Sequence, residues 1–124
     1  MHRDVLALVS LTVLLVGCRS ADEARAERCA SAVAELQTAR SRVREAESRH
    51  FHLARTMEET EVELRQARDS AAIEPTAATR AEEAERRLDA LRERRRQAAA
   101  AVEAERSEAG RLERVVELCT APRR

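Results

Sequence analysis

At 124 residues the chain has room for one domain or one elongated element. Its 23 basic residues, all Arg, balance 23 acidic ones, 37% of the chain is charged, and Phe51 is the only aromatic side chain. Too few large side chains remain for a compact core. The interleaved acids disfavour nucleic acid, and the abundance of Ala, Arg and Glu suits long helices and coiled coils.

The chain opens with a short polar segment, Met1-His2-Arg3-Asp4, and continues into an apolar run from Val5 to Val16 broken by Ser10 and Thr12. A membrane-spanning helix needs about 20 apolar residues, so this run is too short to span and instead has the length of a signal-peptide core. It ends in Leu15-Val16-Gly17-Cys18. These four residues resemble the lipobox of bacterial lipoproteins. The resemblance covers residues 1–19 and implies removal of residues 1–17, with Cys18 becoming the first mature residue. It also implies diacylglyceryl and N-acyl chains on Cys18. In lipoproteins like those of enteric bacteria, Asp after the cysteine favours the inner membrane. Arg19 stands there, so the same resemblance implies the periplasmic face of the outer membrane. An ordinary signal peptide cut nearby and an uncleaved or cytosolic chain are the competing readings.

Ser20-Ala21-Asp22-Glu23 has the capping-box pattern, so residues 18–20 are expected as a lipidated N-terminus leading straight into a helix over residues 21–72. Pro75 disfavours helix at Glu74, which predicts a proline turn over 73–79. Thr79-Arg80-Ala81-Glu82 repeats the capping pattern and predicts a second helix over 80–120, ended before Pro122 and followed by a basic tail over 121–124. One helix kinked at Pro75 is the alternative.

Apolar and small residues recur at heptad spacing in both segments. The first carries Cys29, Leu36, Val43, His50, Met57 and Leu64, each followed three residues later by Ala32, Ala39, Ala46, Leu53, Thr60 and Ala67. The second carries Ala81, Leu88, Arg95, Val102, Ala109 and Val116, similarly followed by Ala84, Leu91, Ala98, Glu105, Leu112 and Cys119. Such seams are the pattern of a left-handed coiled coil. Folding the chain back at Glu74 sets the two seams against each other. Cys29 meets Cys119, Leu36 meets Leu112, His50 meets Ala98 and Met57 meets Leu91. The expected fold is therefore all-α: an antiparallel two-helix coiled-coil hairpin with many large-against-Ala layers. Cys29 and Cys119 share its end layer, where a disulfide staple, a pair of free thiols filling the seam and an intermolecular bridge are the three arrangements open to them.

Candidates for chemistry are few. His50 and His52 lie two residues apart on a helix and point to nearly opposite sides, so they do not chelate one ion; His50 reads as a polar seam residue and His52 as surface. Arg95 and Glu105 interrupt the seam and are expected to reach outward toward charges on the first helix. Arg92 to Arg96 are surrounded by acids and read as a solvated, ion-paired face. No nucleophile–base set and no glycine-rich phosphate loop appear, so no catalytic residue, metal site or cofactor beyond the Cys18 lipid is expected, and the chain is not expected to be an enzyme.

Off the seam, Val33, Val115 and Leu118 gather near the cysteine end, while Phe51, Val62 and Ile73 lie elsewhere. The first group is placed to widen the membrane-proximal core or to bind a partner; alternatively, Phe51 beside Ala99, Ala100 and Ala104 suggests a homodimer packed as a four-helix bundle, and scattered exposed hydrophobes otherwise need no function. The first functional expectation is a membrane-anchored envelope lipoprotein serving as a non-enzymatic spacer, scaffold or docking rod, with the membrane and an envelope protein as partners and nucleic acid excluded. Lipoproteins that tether peptidoglycan through a terminal Lys are similar in outline, but this chain has no Lys. The second expectation is an accessory lipoprotein that regulates an envelope enzyme through the tip residues Ile73, Glu74 and Pro75. The third is a cytosolic coil, which requires that residues 1–17 not be a signal.

Overall fold

Helix formation begins where the Ser20 side chain can replace a missing backbone partner. In the computed structural model, which describes residues 20–122, Ser20 has an extended backbone and its Oγ accepts a hydrogen bond from the Glu23 N–H at 3.2 Å. Helix α1 then runs over Ala21–Ser70 and α2 over Pro75–Thr120. At 50 and 46 residues, the helices are each about 70–75 Å long. They pack against each other as the expected antiparallel hairpin. The expected signal segment 1–17, Cys18, Arg19, and Arg123 and Arg124 of the expected basic tail lie outside the described residues.

The turn is tighter than the sequence suggested. Helix α1 ends at Ser70 rather than residue 72, and α2 starts at Pro75 rather than residue 80. The Ser70 carbonyl accepts from Ile73 N–H at 3.0 Å and Glu74 N–H at 2.9 Å, reversing the chain within a few residues. Glu74 is the extended N-cap residue. Proline is suited to the first turn of a helix, where no acceptor for its missing N–H is needed and its fixed φ is already helical. Thr79 therefore sits inside α2, and the second capping pattern caps nothing.

The seam is narrow because its most completely occluded residues are alanines. Ala39 and Ala77 are 0% exposed, Ala46 and Ala84 1%, whereas Leu36, Leu64, Leu88 and Leu112 retain 4–7%. Two apolar clusters result. Leu36, Ala39, Ala109 and Leu112 form one toward the cysteine end, and Met57, Leu64, Ala84 and Leu88 form the other toward the turn. Pairs equidistant from Glu74 meet in both, Leu36 with Leu112 and Ala39 with Ala109 in the first and Leu64 with Ala84 in the second, as the mirror register requires. Thr60 is buried in the second seam region, and its Oγ1 donates to the Thr56 carbonyl at 2.8 Å, so the hydroxyl is satisfied within its own helix.

Ion pairs flank the seam with the same offset. Arg40–Glu113 at 2.9 Å, Glu47–Arg106 at 2.8 Å and Arg68–Glu85 all join the position four residues after a seam residue on one helix to its equivalent on the other. Antiparallel packing brings those columns together. Such exposed pairs add little stability individually, so their effect is on register. Within α2, hydrogen bonds from Arg111 and from Arg96 and Gln97 hold the carboxyls of Glu108 and Glu93 below the ordinary Glu range.

The two polar interruptions behave differently. Glu105 reaches α1 as expected, accepting from Arg42 Nε at 3.0 Å. Arg95 does not: it is exposed and takes no ion pair among the described residues. The reason is local composition, because the facing stretch of α1, Ser48 to Thr56, carries Arg49, His50, His52 and Arg55 and no carboxylate. Between the clusters the hairpin thus has a polar waist, with a hollow of about 500 Å³ lined by His50, Met57, Arg92, Arg95, Arg96 and Ala99. Replacing Arg95 by Leu lets an apolar side chain meet Leu53 across the waist. The expected outcome is a gain of about 1–2 kcal/mol, read as a higher Tm and denaturant midpoint by circular dichroism.

Candidate functional site

Two ends of the rod carry the residues singled out in the sequence. At the open end, Cys29 and Cys119 face each other at disulfide distance, with Cα atoms 5.5 Å apart across a sequence separation of 90. Bridged cystines have Cα separations of roughly 4.4–6.8 Å. Both residues are half-buried in the last seam layer, as the register places them.

A neighbouring clamp was not evident in the sequence. The Arg25 guanidinium, one turn before Cys29 on α1, donates from Nη2 to the Cys119 carbonyl at 3.0 Å and the Ala121 carbonyl at 3.2 Å. Those are carbonyls at the C-terminus of α2, which lack intrahelical partners and carry the negative end of the helix dipole. A cation reaching across from the antiparallel helix satisfies both requirements. The signal available in the sequence was a basic residue one turn ahead of the end layer, which in an Arg-rich chain distinguishes nothing. Leu118, 76% exposed, is the most exposed of the apolar residues on this end's surface, ahead of Val33 and Val115.

At the closed end, Ile73 is 90% exposed, the most exposed large apolar residue described. Glu74 holds the turn around it. Its carboxylate makes no capping bond to the backbone but accepts from Thr76 Oγ1 at 3.1 Å and from the Arg80 guanidinium. Pro75 supplies the rigid first residue of α2. Ile73, Glu74 and Pro75 therefore sit together at the tip, with the isoleucine presented on a polar-braced turn. Beside it lies a hollow of about 670 Å³ whose lining includes Glu63, Glu74, Arg80, Glu83 and Arg87.

The histidines stand where their spacing put them. His50 is half-buried in the seam and His52 exposed, its ring in edge contact with Phe51 at a centroid distance of 6.1 Å. Among the described residues, no group of three His, Cys, Asp or Glu side chains is placed to hold a metal ion. No described helix is long and apolar enough to cross a membrane. No protein-family model, curated protein or solved structure matches the chain.

The cysteine pair yields a direct prediction. A bridge closing this loop stabilises by about 4–5 kcal/mol in the chain-entropy model, a large share of the stability of a rod with an Ala-rich seam. Reduction, or Cys29→Ser with Cys119→Ser, is expected to lower Tm by on the order of 10 °C or more. Mass spectrometry of the unreduced full chain should find Cys29 joined to Cys119; two free thiols in oxidising conditions would show that the pair fills the seam unbridged.

Proposed function

We propose that the protein is a membrane-anchored lipoprotein of the bacterial envelope that acts as a non-enzymatic coiled-coil spacer, scaffold or docking rod. The observation that carries this reading is the join between anchor and rod. The lipobox ends at Cys18, and the capped helix begins at Ser20, two residues later. A lipid on Cys18 then holds one end of a rigid hairpin at the head groups with almost no intervening tether. The antiparallel fold returns the end of α2 to the same side, with Arg123 and Arg124 following it. Near an anionic surface each Arg adds about 1 kcal/mol of attraction. Diacylglyceryl and N-acyl chains on Cys18 are the only non-protein groups in this proposal, and the outer membrane is the expected site.

Changing Cys18 to Ser tests the anchor. The expected result is loss of fatty-acid labelling and release of the protein from the membrane fraction. A wild-type chain that is soluble and unlabelled would sink the proposal and favour the cytosolic coil.

A second reading is favoured by the exposure of Ile73 at a braced tip. In that reading an envelope enzyme docks on Ile73, Glu74 and Pro75 and is regulated by them. Exchanging the tip for a neutral turn of equal length separates the readings. A spacer retains its cellular role after the exchange, whereas a regulator loses it with folding and anchoring unchanged.

A further inference from the structure

Phe51 and Val62 on the distal half of α1, and Ile73 in the turn after it, are large apolar residues left exposed, at 65%, 43% and 90%. They follow one another at 11-residue spacing. Between Phe51 and Val62, both on α1, that spacing is three helical turns to within about 20°, so the two share one face. Relative to the seam that face points outward, and α2 does not cover it.

The charges beside this face are self-complementary under a two-fold axis at Val62. Rotation about that axis sets Phe51 against Ile73 of a second copy and Val62 against its own counterpart. It also sets Arg55 against the second copy's Asp69, which stands in the equivalent heptad column. Within one chain Arg55 pairs with Glu59 at 3.3 Å, while Asp69 takes no partner among the described residues. The Arg55–Asp69 pair would therefore form twice, once on each side of the axis. Isologous contacts have this reciprocity: if one residue touches another, the second touches the first across the axis.

We propose that this face binds a second copy of the chain, forming an antiparallel dimer through α1 with the tip halves overlapped. The overlap from Phe51 to the end of α1 is about 30 Å long. Apolar contacts at Val62 and between Phe51 and Ile73 drive association, and the two Arg55–Asp69 pairs set direction and register. This arrangement differs from a bundle built on Phe51 and the alanines of α2, because α2 faces away from the axis. It does not rest on the lipid anchor: the axis places the open ends of the two hairpins at opposite ends of the dimer, so copies held upright on one membrane do not form it, and the contact is one between copies on facing surfaces or free in solution.

The test uses the full chain purified in mild detergent. Sedimentation from about 1 µM to about 0.5 mM should show a dimer; a monomer throughout that range overturns the proposal. Under mild oxidation Val62→Cys should link to itself, with peptide mass spectrometry locating the bridge, while Gln97→Cys on α2 should not. Phe51→Cys alone and Ile73→Cys alone should give no link, but a mixture of the two should. Self-linking of Phe51→Cys indicates a parallel dimer and overturns the geometry. Arg55→Asp should weaken dimerisation by roughly tenfold, and adding Asp69→Arg to the same chain should restore it. Failure of that rescue overturns the register. All these positions are exposed, and unchanged helical circular dichroism establishes that each variant remains folded.

Discussion

Antiparallel register is the constraint on which this molecule depends. Because the helices share one chain and one turn, a shift at any layer is a shift at all of them. At the narrowest layers small residues face small ones, as Ala39 does Ala109, and a shift of one heptad would set Ala39 against Val102 or Val116 instead. The flanking charges reinforce the choice by alternating in sign along α1. Sliding α2 by one heptad one way puts Arg40 opposite Arg106; sliding it the other way puts Glu47 opposite Glu113. Neither strand of this argument is strong alone. A surface ion pair contributes little, and an Ala layer buries little area. Their agreement over the length of the rod is what selects one structure.

Most of the fold was legible because a two-helix rod has almost no long-range arrangement to conceal. The heptads of Leu36, Met57, Leu88 and Leu112 place the seam, and reflection about Glu74 sets the two cysteines in one layer. What resisted was local. Thr79 looks like a cap in the sequence because Ser and Thr are common caps, but the turn closes earlier when Pro75 can itself begin the helix. Arg95 resembled Glu105 as a seam interruption. Only the absence of a carboxylate on the facing part of α1 separates their fates. Arg25 was invisible because its partners are backbone carbonyls, which every residue has and no side-chain pattern advertises.

The functional residues divide along the same line. Cys18 is a matter of sequence motif, whereas the tip and the outer face of α1 acquire meaning from geometry. The polar waist lies between the two apolar clusters, where His50 and Arg95 line its hollow, and Phe51, next to His50 in the chain, is exposed. Burial is given up at the middle of the rod while apolar side chains stay outside at Phe51, Val62 and the turn.

The capped start of α1 has a mechanical consequence. With Cys18 anchored as proposed, only Arg19 stands in the chain between the lipidated residue and the Ser20 cap of a helix about 75 Å long, so the hairpin would act as a lever rather than a tethered float. Tilting it by about 20° at the head groups sweeps the tip sideways by about 25 Å. The space in which Ile73 can find a partner is then a shallow dome at nearly constant height above the bilayer. A protein held at that height would be reachable, and one lying on the membrane at the rod's foot would not.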